Sequence, residues 1–65
     1  MTVKVPKRVW DAILYLQLSL QVDMYDVPRV CEVCASHGFF EATKWIYVQQ
    51  DEYLRLLSEG PELID

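Results

Sequence analysis

The chain is predicted to fold as an all-α domain, a small bundle of three to four helices. Three observations carry that expectation. Val9, Ile13, Leu16 and Leu20 recur at helical spacing behind Pro6. Helix start and stop residues, Asp26 with Pro28, Gly38, and Asp51, then follow at intervals that suit short helices. Hydrophobic residues make up 52% of the 65 residues and charged residues 25%, with no internal repeat, low-complexity segment or linker, which describes one small globular unit.

Pro6 suits the first turn of a helix, where its missing N–H costs nothing. The first helix is therefore drawn from residue 6 to about 20. One stretch inside it reads differently. "LYLQLSLQV" places Leu14, Leu16, Leu18, Leu20 and Val22 at alternate positions, the pattern of a half-buried strand. Four apolar positions in register with the preceding helix start outweigh that alternation. The alternation still has a consequence: Trp10, Leu14 and Leu18 fall on a second face of the same helix. A small core covers one apolar face comfortably, not two.

Asp23 to Pro28 reads as a connection, with Asp26 as N-cap of a second helix over about 27–37 that turns Val27, Val30, Cys31 and Cys34 inward. Gly38 is its expected stop, in the left-handed conformation glycine adopts cheaply. A third helix is drawn from Phe40 to Gln49 with Ala42, Trp45 and Ile46 inward. A fourth runs from Glu52 to Ser58, capped by Asp51 and anchored by Tyr53, Leu56 and Leu57. Residues 40–58 fit either two helices or one bent helix. The closing "EGPELID" is interrupted by Gly60 and Pro61, so the helical domain is drawn over 1–58 and a flexible acidic tail over 59–65.

Composition narrows the function classes. The formal net charge is −4, and Lys4, Lys7 and Arg8 form the one cluster of cations, so nucleic acid is an unfavoured partner. Residues 12–22 are too short and too polar to span a bilayer, and the N-terminal stretch lacks the pattern of a secretory signal. The expected location is the cytoplasm, where Cys31 and Cys34 stay reduced.

"CEVCASH" places Cys31, Cys34 and His37 on one broad helical face, within reach of a shared ion. Structural zinc takes four ligands in two separated pairs, and no second pair exists. A redox CxxC opens a helix, whereas this one lies inside one. The cysteines are read as small core residues and His37 as a partner of the helix C-terminus, with no metal and no cofactor. "CASHGFFEATKWIYV" has the outline of a helix–turn–helix, yet its second helix offers one cation, Lys44. No nucleophile, phosphate-binding loop or carboxylate pair with catalytic context is present, so the chain is not read as an enzyme.

The segments "VPKRVWDAIL", "MYDVPRV", "GFFEATKWI" and "DEYLRLLSEG" together resemble a family of short bacteriophage and prophage proteins catalogued only as a domain of unknown function. Val5, Pro6, Met24, Tyr25, Asp26, Gly38, Phe39, Phe40, Glu41, Ile46, Tyr53 and Gly60 carry the likeness, which spans nearly the whole chain. It implies a shared fold, a mobile-element origin and residence in a host cytoplasm, and says nothing about chemistry. The cysteines lie outside the family pattern. So does "QLSL" at residues 17–20, where the family has a polar stretch ending in glycine.

The resulting expectation is a non-enzymatic interaction module that forms a homodimer through Trp10, Leu14 and Leu18, with Leu20 and Val22 as flanking candidates, and binds a host or phage protein. The alternative is a small helix–turn–helix-like DNA-binding regulator. Apolar area motivates the first: each large side chain left in water forgoes about 1.5–3 kcal/mol, against a total of a few kcal/mol for so short a domain.

Overall fold

The computed structural model describes residues 2–64. The chain runs β1 (Val3–Pro6), α1 (Lys7–Tyr15), a π-helical turn (Leu16–Leu20), α2 (Val27–Ser36), α3 (Phe40–Val48), α4 (Gln50–Glu59) and β2 (Pro61–Ile64). The fold is mostly helical but not all-α. Its two extended ends pair as a parallel two-stranded sheet, in the register Val3↔Pro61 to Pro6↔Ile64.

The sheet corrects two expectations. Residues 61–64, drawn as part of a flexible acidic tail, form strand β2, and residues 3–6, the last of them drawn as the helix start, form β1. The physical reason lies in the alternation of "VKVP". Val3 and Val5 are buried while Lys4 between them faces out, the period of a half-buried strand. Four residues give that pattern little weight in a sequence, and its partner strand is 58 positions away. Pro6 takes φ −60°, ψ 141°, which is extended, so the helix begins at Lys7 rather than on the proline.

α1 turns Val9, Ala12 and Ile13 into the core, and Leu16 follows them. Beyond Leu16 the helix widens. The Gln21 N–H donates to the Leu16 carbonyl, five residues back, in place of the four-residue step of an α-helix. The wider turn carries Leu20 off the stripe of Val9, Ile13 and Leu16: those three are fully buried and Leu20 is 37% exposed. Gln21 ends the helix in a left-handed conformation, φ 52° and ψ 40°, a place where glycine would be at ease. The segment 14–20 is thus helical throughout and not a strand.

α2 begins as the sequence predicts. The Asp26 carboxylate accepts the Arg29 N–H at 3.4 Å, and Pro28 stands in the first turn. At its end Phe39 N–H donates to Cys34 O at 2.8 Å and Gly38 N–H to Ala35 O at 3.1 Å, the paired bonds of a Schellman motif. Gly38 has the expected positive φ of 80°. α2 buries Val30, Val33 and Cys34, with Val27 and Cys31 packed at the core margin.

α3 and α4 are two helices, broken at Gln49 (φ −120°, ψ 53°). Gln49, not Asp51, occupies the N-cap of α4, and Asp51 and Glu52 lie inside its first turn, at the positive end of the helix dipole. Ala42 and Ile46 from α3 and Tyr53 and Leu56 from α4 complete the core, flanked by Trp45 and Leu57. Tyr53 has no exposed surface, and its hydroxyl donates to the Met24 carbonyl at 2.6 Å, which ties α4 to the connection ahead of α2.

Candidate interaction surface

The three residues read from the sequence as an interface form a gradient on the outer side of α1. Trp10 is half-buried and packs against the core. Leu14, one turn on, is half-buried. Leu18, in the middle of the π turn, is 73% exposed, the largest exposure of any large hydrophobic residue described. The spacing of four keeps the three in one row. Of the flanking candidates, Leu20 remains partly exposed while Val22 packs against the core.

An aromatic cluster stands beside the row. Tyr15, one residue from Leu14, meets Phe39 edge-on with ring centroids 5.6 Å apart, and Phe39 lies near-parallel to the His37 ring at 6.1 Å. His37 Nδ1 sits 3.0 Å from the Val33 carbonyl, so a proton on that nitrogen is donated to the end of α2. This is the C-terminal role assigned to it from the sequence.

Of the two cysteines, Cys31 is partly buried at the core margin and Cys34 lies inside the core. Cys34 is fully buried, and burial together with the neighbouring Cys31 pushes its thiol up to about 11; burial raises the Cys31 thiol as well. A ligand or nucleophile needs the thiolate, which these surroundings disfavour. Among the described residues, no three His, Cys, Asp or Glu side chains converge as a metal site, and no helix is long and apolar enough to cross a membrane. Burial also raises the Tyr53 hydroxyl, whose proton is held by the bond to Met24.

The sequence reading missed the outer side of α3. Phe40, Tyr47 and Val48 are each about 70% exposed. Glu41, Lys44, Trp45 and Val48 line up at i, i+3, i+4 and i+7 along a hollow of about 210 Å³, closed on its other side by Pro6 and Val9. The signal was present as that spacing, but Trp45 drew attention to the core and the hollow needs β1 and α1 to form its far wall.

No protein-family model, curated protein or solved structure matches this chain. What it does is therefore read from its own residues.

Proposed function

We propose that the chain is a small non-enzymatic interaction module, of the phage or prophage type its residue pattern resembles, acting in the cytoplasm without a cofactor. It pairs with itself through Trp10, Leu14 and Leu18 and presents the remaining surface to a host or phage protein. The observation that supports this best is Leu18, left 73% in water at the centre of a π turn. π turns are rare and recur at functional sites. An apolar side chain held outward by one is an uneconomical arrangement for a chain that stays alone.

The row is suited to a two-fold partner. With the axis beside Leu14, antiparallel α1 helices bring Trp10 of one copy to Leu18 of the other and Leu14 to its counterpart. Such i±4 rows interdigitate in the commonest class of helix packing. Sedimentation equilibrium at micromolar to millimolar concentration tests the pairing. A concentration-dependent dimer that Leu18→Glu dissolves, with the fold intact, supports it; a strict monomer across that range overturns it.

A DNA-binding regulator is the second reading, favoured by the short turn at residues 37–39 between α2 and α3. The face of α3 turned outward carries Lys44 as its one cation. A salt-dependent mobility shift with duplex DNA would support that reading, and none at low salt would remove it.

A further inference from the structure

Three hollows follow one another along the seam between α1 and α3: Glu41 lines all three, Pro6 joins the first to the second and Arg8 the second to the third, so they read as one groove. Its most apolar part is the slot of about 210 Å³ between Pro6 and Val9 on one side and Trp45 and Val48 on the other. That is smaller than the ~300 Å³ at which small-molecule sites begin, and it suits a single large side chain. Val48 and, further along, Phe40 stand open to solvent at 68% and 70%.

The charge around the groove is opposite to that of the chain. Lys7, Arg8 and Lys44 line it against one carboxylate, Glu41, so three of the six cations of a −4 protein gather there. Arg8 and Glu41 answer one another at 3.7 Å. Lys7 and Lys44 have no ion-pair partner among the described residues. An apolar slot with one unanswered ammonium group, Lys44, at its rim and a second, Lys7, in the adjoining hollow selects a ligand that is apolar at one point and negative beside it.

We propose that this groove binds an acidic peptide segment of a partner protein, seating one large apolar side chain between the Pro6–Val9 wall and the Trp45–Val48 wall while flanking carboxylates meet Lys7 and Lys44. The overall charge of the chain suggests a basic partner; the local field of the groove specifies an acidic one. The site is separate from the Leu18 row and does not depend on self-association.

Calorimetric titration of the whole protein with an eight-residue peptide of Asp and Glu around a central Leu-Phe pair tests it. The result expected is saturable binding that weakens about tenfold with Val48→Asp and about fivefold with Lys44→Glu. Raising salt from 50 to 300 mM should weaken it further. Both side chains are exposed, so both variants keep the fold, which a thermal melt verifies. Absence of binding at millimolar peptide overturns the proposal, as does equal binding of the same peptide with Lys in place of its acids. Tighter binding of oligothymidylate that Val48→Asp leaves unchanged would mark a phosphate-binding surface instead. Self-association abolished by Val48→Asp would show that a second copy fills the groove. Either of these last two also overturns it.

Discussion

The bond from Tyr53 to Met24 makes a sharp test of how this small core holds together. Tyr53→Phe keeps the ring and removes one hydroxyl. The Met24 carbonyl, on a residue 8% exposed, then loses the 2.6 Å bond from Tyr53 and has no other backbone or side-chain donor among the described residues. An unmet buried carbonyl costs about 1–3 kcal/mol. At about 0.05–0.15 kcal/mol per residue, the whole domain holds roughly 3–10 kcal/mol. One oxygen atom thus carries a substantial share of the total. A loss near 2 kcal/mol lowers Tm by about 8–16 °C in a domain of this size. Urea unfolding followed by tryptophan emission should show a lower midpoint with an unchanged m value. Tyr47→Phe, at a position 68% exposed, is the control and should stay within about 0.5 kcal/mol of the parent. If Tyr53→Phe stays within that same margin, water satisfies the carbonyl and the connection is not tied through this bond.

Other consequences can be checked with the same melts. Gln21→Gly removes the left-handed strain of a side-chain-bearing residue at φ 52°, partly offset by a freer unfolded chain, and should raise stability by about 0.5 kcal/mol; a fall in Tm would show that Gln21 makes a compensating contact. Cys34 stays protonated in the fold to about pH 11, whereas the unfolded thiol ionises nearer 9. The unfolded state therefore binds fewer protons in that window, and stability is full below pH 8 and declines by about 2 kcal/mol between pH 9 and 11. Tyr53, whose hydroxyl burial also raises, adds its own loss above pH 10, so Cys34→Ala should remove the decline between pH 9 and 10 and leave the steeper part above it; an unchanged decline below pH 10 would refute the assignment to Cys34. Ending the chain at Gly60 removes the strand paired with β1, leaving its backbone groups without the sheet bonds, and should cost about 2 kcal/mol; an unchanged Tm would mean that β2 contributes nothing.

The helical part of the fold was legible because its signals are local. Asp26 and Pro28 start α2 within its first turn, Gly38 stops it just past its last, and the Schellman bonds need only residues 34–39. The break at Gln49 was less legible, since no glycine or proline marks it. The sheet was not readable at all. Its strands are four residues each, and the pairing of Val3 with Pro61 leaves no trace in either stretch alone. The π turn was half visible. "QLSL" stood out where a polar run ending in glycine was expected, but helical periodicity still placed Leu20 on the core stripe, and only the Gln21–Leu16 bond moves it off. For the candidate interface, the row Trp10, Leu14, Leu18 follows from spacing, while its grading from covered to bare depends on which neighbours fold over it.

The parallel pairing of β1 with β2 also sets an order of events during synthesis. The strand that pairs with Val3 and Val5 is made nearly sixty residues after them. At about 5–20 residues per second that is a wait of roughly 3–12 s. The intervening helices can close within microseconds of emerging. Val3 and Val5 therefore stay without their partner strand while α1 to α4 are made one after another, and translation rate, rather than any barrier inside the fold, decides when the two strands can meet.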